Sequence, residues 1–544
     1  MLRAGTRYEW APKVALVVAL AHAVAAWSLR APGFAWGEDD AAYLLLAQEL
    51  RHFSYREVQD VLAPMHARFP PLFPALLAIV GAPFGDNLDV LIAFVALCSA
   101  GALLLFYDGT RRVLGDTVAL PAALLMAINP AMLWMGGNLM AEAPFVLLTM
   151  LALWALARED ESPRFALLAG IAVYLAALTR TAGVVFVVAT FGYWVVRKRY
   201  RRAALFSSVG VLTIGVWLAW TFAQPDPDTR RLYIADLGLR GRDAGLHFVR
   251  DMAGRMVPRV KVMLTNYIPT ALSVPTVAGT AVDNAGWLAA TLALGGAGVV
   301  VLWRRWMGVI AFLVPYLLLL LVWRFQAGRF LTPIIPLLLV VVLGGAAWVS
   351  DRYVPKARGG LLTALTLLLT GGALVRDVER AATVRACDRR NSIDSPACFS
   401  EPEREALQLA RWVRDSTAPG DVFFVSKERA FFVHSGRRSI NQDRGLREPP
   451  DSLAAYLRAR QVRYVVVTPV GVYAREHNAL LARACRDFAV VRQFAGSSAL
   501  LRVRDAGEAD DGGATCRTLA RWRPRDGRAD GARARPNDSP GGKG

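Results

Sequence analysis

Two adjacent carboxylates, Asp39 and Asp40, stand in Gly37-Glu38-Asp39-Asp40-Ala41-Ala42-Tyr43, just past the first long apolar run. Further ionisable residues recur where apolar runs end. His66 and Arg68 precede Pro70-Pro71, Glu142 closes Asn138-Leu139-Met140-Ala141-Glu142, Arg180 separates two runs, and Arg324 and Arg329 flank a short break. Charges near a bilayer are costly, roughly 2.5–3.5 kcal/mol at a helix centre, which makes such residues functional candidates by default. A carboxylate can take the proton from an attacking hydroxyl. A guanidinium can clamp phosphate oxygens with paired N–H donors. Acids and bases gathered on one face therefore suit a reaction on a phosphorylated lipid. Each one alone reads at least as well as an ordinary interfacial charge; their joint occurrence carries the argument.

Metal and nucleotide chemistry find less support. His66 is a weak candidate metal ligand, because a lone His is more often simply hydrogen-bonded, and His22, His52, His247, His434 and His477 form no ligand spacing. No cofactor is implied, and a divalent cation stays open. Walker, GxGxxG, HExxH and GxSxG motifs are all absent.

The elements that must position these residues are membrane spans. The chain has 544 residues, 55% of them hydrophobic, which is too apolar for an ordinary soluble protein. Apolar runs near 20 residues predict about eleven spans. They fall near 13–29, 88–107, 117–135, 139–157, 165–179, 182–196, 203–222, 285–303, 307–323, 331–349 and 360–375. The stretch 69–84 is short and rich in Pro, and reads as an interfacial segment rather than a twelfth span. The net charge of +19 does not point to nucleic acid, because the Lys and Arg lie in short loops and a polar tail. Arg111-Arg112, Arg158, Arg164, the run 197–202, Arg304-Arg305 and Arg352/Lys356/Arg358 all face inward if the N-terminus is cytoplasmic. The outer side then receives 30–87, 223–284, 324–330 and everything after 376. Ala21-His22-Ala23 resembles a signal-peptidase site, but the apolar run continues to Leu29, so an uncleaved first span is expected.

The expected organisation is a membrane domain over 1–379, an extracytoplasmic α/β domain over 380–505 and a disordered tail over 506–544. The outer loop 30–87 would carry the catalytic residues. In the 223–284 loop, Arg255, Arg259, Lys261 and Asp283-Asn284 could meet substrate, with a solvated loop as the default. In the α/β domain, 403–416 and 452–459 read as helices. Val422–Ser426, Phe431–His434, Tyr464–Thr468, Ala489–Phe494 and Ala499–Val503 read as strands. Cys387, Cys398, Cys485 and Cys516 fall outside, where disulfides and free thiols are both open.

The order of these features resembles the GT-C glycosyltransferases, over roughly residues 10–505. It is most similar to the bacterial branch of protein O-mannosyltransferases and the lipid A aminoarabinose transferase. Five stretches carry the likeness: Asp39-Asp40-Ala41-Ala42-Tyr43-Leu44-Leu45-Leu46-Ala47, Arg68-Phe69-Pro70-Pro71-Leu72-Phe73-Pro74, Asn138–Phe145, Ala177-Leu178-Thr179-Arg180 and Arg329-Phe330-Leu331-Thr332-Pro333. In the aminoarabinose branch a Lys precedes the Pro, where this chain has Phe69, with Arg68 one place earlier; the second acid is Asp40 rather than the commoner Glu.

The resemblance implies a polytopic α-helical membrane enzyme of the inner membrane, with an extracytoplasmic α/β domain. It implies transfer of a hexosyl or pentosyl group from a polyprenyl-phosphate donor to a lipid, glycan or protein acceptor, with inversion. Asp39 would be the base, and Asp40 would orient the acceptor or hold a cation. Arg68, Glu142, Arg180, Arg324, Arg329 and Tyr43 would bind donor phosphate and substrate. Two rival readings remain, a transporter or flippase of lipid-linked sugars and a non-catalytic subunit of an envelope-polysaccharide complex. The first predicts internal repeats and mid-membrane charges, which are not evident.

Overall fold

Helices dominate the first 387 residues of the computed structural model, and they follow the apolar runs. Described are residues 7–30, 38–224, 254, 256–275, 285–323, 328–387, 398–471, 473–494 and 496–522. The contacts divide the chain into one unit of Met1–Val58 with Ala63–Cys398, and a second of Gln59–Leu62 with Phe399–Gly544.

Among the described residues of the first unit, six helices are long and apolar enough to cross a membrane: Ala11–Ser28, Leu88–Leu114, Tyr200–Ala223, Leu288–Arg305, Gly328–Tyr353 and Pro355–Ala386. A seventh crossing is a pair, Asp116–Ala127 and Pro130–Gly136, bent by 58°. The bend has a local cause. Asn129 caps the second helix by accepting from the Ala131 and Met132 amides, and Pro130 sits in the first turn, where its missing N–H leaves no bond unmade. The Asn129 amide then donates to Ala271 O at 2.7 Å, which ties the break to a segment of the 223–284 stretch. That stretch, expected as a loop, contains the helix Ile268–Ala271 with buried neighbours. Four shorter apolar helices, Glu142–Leu156, Pro163–Thr179, Thr181–Val196 and Met307–Val322, coincide with expected spans. Leu72–Phe84 is the fifth short one, at the Pro-rich stretch expected to be interfacial.

Small residues let these helices approach closely, as is usual where lipid offers no hydrophobic drive. Ala285–Arg305 and Ile335–Tyr353 meet through Gly298 and Gly345. A Cβ at either would stand 1.9 Å from a carbonyl oxygen of the other helix, Val341 O or Leu294 O. Buried charges at the expected inner ends are paired. Glu159 accepts from Tyr193 Oη, Trp194 Nε1 and Arg202 Nη1, at 2.8–2.9 Å. Fully buried Asp116 accepts from Tyr107 Oη at 2.8 Å.

The second unit is built on a five-stranded mixed sheet of order β2-β1-β3-β5-β4, with β1 Val422–Phe424, β2 Ser439–Ile440, β3 Val462–Val467, β4 Phe488–Phe494 and β5 Ser498–Val503. β1 pairs in parallel with β2 and β3, and β5 runs antiparallel to β3 and β4. The helix Glu401–Ser416 packs its Leu409, Ala410 and Val413 on Phe423, Val466 and Leu500. Within the same unit, Gln59–Leu62 extends the sheet past β2: the Ser439 amide donates to Gln59 O at 2.8 Å and the Val61 amide to Ser439 O at 2.9 Å.

Three expectations need correction. The boundary after residue 379 falls inside the continuous helix Arg358–Ala386, and the units part after Cys398. The segment Phe431–His434 is part of a helix, Glu428–Ser435, which buries Glu428, Phe431 and Ser435 at helical spacing, with Phe431 against Phe423. The tail is ordered up to Trp522: Ala514–Leu519 is a helix, Thr515 and Leu519 are buried, and Cys516 is bonded to Cys485. The remainder of the tail, including Arg523, Arg525 and Arg528, lies outside the described residues. The other pair, Cys387–Cys398, is also disulfide-bonded.

Candidate active site

Asp39 opens the helix Asp39–Leu50, where a negative charge is favoured by the aligned peptide dipoles. The residue before it, Glu38, holds φ at 73°, a left-handed conformation uncommon for a side-chain-bearing residue and often found at functional sites. Tyr43 follows Asp39 by one helical turn, so both lie on one face. The Tyr43 ring is buried and packs on Phe69 at 4.9 Å and edge-on to Phe73 at 4.8 Å between centroids. Asp40 points elsewhere along the turn, with Oδ1 accepting from the Ala41 amide at 2.9 Å.

The Pro-Pro segment is fixed by His66. Its Nε2 accepts from the Phe69 amide at 2.7 Å, and its Nδ1 bonds to Glu57 Oε1 at 2.8 Å. Both ring nitrogens are thus engaged, and His66 joins the Pro-Pro segment to Glu57. Among the described residues no three His, Cys, Asp or Glu side chains are grouped to hold a metal. The Arg68 guanidinium lies 5.9 Å from the centroid of the Phe69 ring, the same ring that Tyr43 packs against.

Two arginines arrive from distant spans. Arg329, on the 3-10 segment Gly328–Ile334, donates from Nη2 to Asp39 Oδ2 at 2.9 Å across 290 residues of sequence. Arg180 interrupts the helices at Pro163–Thr179 with an extended backbone. Gly183 permits the turn that follows, since a Cβ there would stand 2.6 Å from Ala177 Cα. Arg180 Nη1 reaches Glu142 Oε1 at 2.5 Å. Glu142 begins Glu142–Leu156 and is 1% exposed, and neither of its buried oxygens accepts a hydrogen bond with good geometry. The contact is therefore an ion pair that leaves acceptor capacity unused.

These charges converge on one phenol. Burial holds the Tyr43 hydroxyl in its protonated form well above the usual tyrosine range, and the fields of Arg180, Asp39, Glu142 and Arg329 all act on it. Five of the expected site residues, Asp39, Tyr43, Glu142, Arg180 and Arg329, thus share one neighbourhood. Arg324 lies outside the described residues. One member was missed: Tyr316, buried on Met307–Val322, within electrostatic reach of Arg180 and Glu142, its hydroxyl donating to Phe330 O at 3.2 Å. A Tyr inside an uninterrupted apolar run gives no signal in sequence. Of the expected loop cations, Arg259 is committed to structure, since its Nη1 donates to Leu321 O and Trp323 O at 2.8 Å each. Arg255 and Asp283-Asn284 lie outside the described residues.

Residues 68–224 match the family model for dolichyl-phosphate-mannose-protein mannosyltransferase. Among solved structures, ArnT from Cupriavidus metallidurans in the apo state is similar, with a TM-score of 0.58 at 13% identity, covering 89% of this chain and 97% of that one. The same protein bound to undecaprenyl phosphate gives 0.51 at 12% identity, over 90% and 97%. The Archaeoglobus fulgidus oligosaccharyltransferase, tethered with an acceptor peptide, gives 0.54 at 16% identity, over 89% and 72%. No curated protein sequence matches the chain. The multi-pass helical fold is thus similar to that of these solved structures, and the family match covers the segment that includes Arg68, Glu142 and Arg180.

Proposed function

We propose that the chain moves a sugar from a polyprenyl-phosphate donor to an acceptor hydroxyl at the extracytoplasmic face of the inner membrane. One observation carries this reading: a carboxylate, two guanidiniums and a buried second carboxylate meet around Tyr43, at the ends of spans that the loop charges assign to the outer side. The two disulfides, Cys387–Cys398 and Cys485–Cys516, suit an oxidising compartment for the C-terminal region. The structural likeness to ArnT bound to undecaprenyl phosphate supports a lipid-phosphate donor, and the likeness to an oligosaccharyltransferase tethered with an acceptor peptide supports a separate acceptor.

In this mechanism Asp39 accepts the proton from the acceptor hydroxyl as its oxygen attacks the anomeric carbon. The bond to the donor phosphate breaks on the opposite face, so the configuration inverts. Phosphate leaves as an anion and needs no strong general acid; Arg329 and Arg180 offset its charge, with Arg68 or Arg324 as further donors. Asp40 orients the acceptor or holds a cation, should one be used. The acceptor is a lipid, glycan or protein.

The test is transfer in reconstituted membranes with Asp39→Asn, which keeps shape and removes the base. Turnover should fall by about 10²–10⁴-fold, the usual worth of a general base. Undiminished turnover in a normally inserted Asp39→Asn protein would overturn the assignment.

A further inference from the structure

The resting site raises a question that the mechanism leaves open, because the proposed base is already occupied. Asp39 Oδ2 holds Arg329 Nη2 at 2.9 Å, so the guanidinium sits where an acceptor hydroxyl would bond to that oxygen. The second pair in the site, Glu142–Arg180, differs in setting. Glu142 is 1% exposed and Arg180 15%, whereas Asp39 and Arg329 are 28% and 33% exposed. Separating the buried pair would strand a charge away from water, while the half-exposed pair can part and be solvated. Of these two arginines, Arg329 is the one free to change partner at low cost. It also has the geometry to do so. It sits on a short 3-10 segment, a poorer hydrogen-bonded element than an α-helix, between residues 324–327 and the helix Ile335–Tyr353. A guanidinium binds phosphate with the same paired N–H geometry that it uses for carboxylate.

We infer that Arg329 exchanges between Asp39 and the donor phosphate, so that donor binding frees the base and the enzyme engages its substrates in order, donor before acceptor activation. This rests on the proposed function in taking Arg329 as a phosphate contact. The exchange makes Asp39 a competitor of the lipid phosphate in the empty enzyme. Removing the Asp39 charge should therefore strengthen lipid-phosphate binding even as it removes catalysis. The same pair also disfavours an acceptor hydroxyl bonding to Asp39 before the donor arrives.

Direct binding of undecaprenyl phosphate to the full-length protein in detergent tests the exchange, with Asp39→Asn, Arg329→Gln and the double variant compared to wild type. Asp39→Asn is expected to bind about 1.5- to 5-fold more tightly, the range of a partly exposed ion pair. Arg329→Gln should bind more weakly. The double variant should match Arg329→Gln, because the gain needs the released guanidinium. Arg329→Lys keeps the charge, and Asp39→Asn should still tighten binding in that background, which guards against a misfolded Gln variant. Unchanged or weaker binding in Asp39→Asn, with Arg329→Gln weakened, would overturn the exchange and leave the donor-site reading intact. A gain that persists in the double variant would overturn it as well, as a general field effect. Wild-type binding in Arg329→Gln would instead remove Arg329 from the phosphate site and defeat both.

Discussion

At the scale of single residues, charge pairing decides what each acid can do. Asp39 and Glu142 are both carboxylates near one phenol, yet their settings separate their roles. Asp39 is partly exposed and pairs with the partly exposed Arg329; Glu142 is sealed against Arg180. Glu142→Gln should leave a buried guanidinium without its counter-charge, a loss of about 3–5 kcal/mol in stability, visible as a lower unfolding temperature of the purified protein. Asp39→Asn should change stability by no more than about 1 kcal/mol, since it breaks a half-exposed pair. Tyr43 distinguishes packing from chemistry. Tyr43→Ala removes a buried ring packed on Phe69 and edge-on to Phe73 and should cost about 3–5 kcal/mol. Tyr43→Phe keeps that packing, so any fall in turnover with unchanged melting assigns the phenol to substrate.

At the scale of elements, breaks in helices do the positioning. Arg180 and Glu142 meet because one helix ends at Thr179 and another starts at Glu142. Asp39 meets Arg329 because an α-helix and a 3-10 segment both begin there. The long helices behind them are held by close approach. This gives a prediction with opposite signs on one helix. Gly298→Ala places a Cβ 1.9 Å from the Val341 carbonyl oxygen and should destabilise by about 1–3 kcal/mol or more. Gly296→Ala, two residues earlier, meets nothing within 4 Å and should be neutral or stabilise by about 0.5–1 kcal/mol. Thermal unfolding of the two variants in the same detergent reads both.

At the scale of the whole molecule, two units carry different physics. The first is held by apolar helices and small-residue contacts. The second is a small water-facing α/β fold reinforced by the Cys485–Cys516 bond across 31 residues. Removing that bond with Cys485→Ser should cost about 3–4 kcal/mol in this unit on the loop-entropy estimate. His477 in the same unit is wholly buried, and burial pushes it down to about 4, against a weaker opposing effect of the Val466 carbonyl. Its folded form is therefore harder to protonate than its unfolded form. Stability is full above about pH 6.5, the unfolded value, and falls as pH drops towards 4. A His477→Gln variant should show a shallower loss of melting temperature across that window.

Much of the fold was legible in the residues themselves. Apolar runs are local, and each needs about 20 residues to cross a bilayer, so spans and loops could be read without knowing any partner. The same holds for the amphipathic helix at Glu401–Ser416 and for β3, β4 and β5, whose patterns are short-range. The site was legible as a set of residue types at span ends, which named Asp39, Glu142, Arg180 and Arg329. It was not legible as pairs, nor could Tyr316 be singled out within an apolar run. The Phe431–His434 segment and the ordered tail were misread for a related cause: aromatics suit strand and helix alike, and a polar segment looks disordered until a disulfide and a buried Leu519 hold it. By itself the sequence determined a helical membrane fold and which ionisable residues stand at the ends of apolar runs, because hydrophobicity and charge belong to each residue. Which guanidinium meets which carboxylate was decided only by tertiary structure, because an ion pair spanning 290 residues depends on packing that no local pattern encodes.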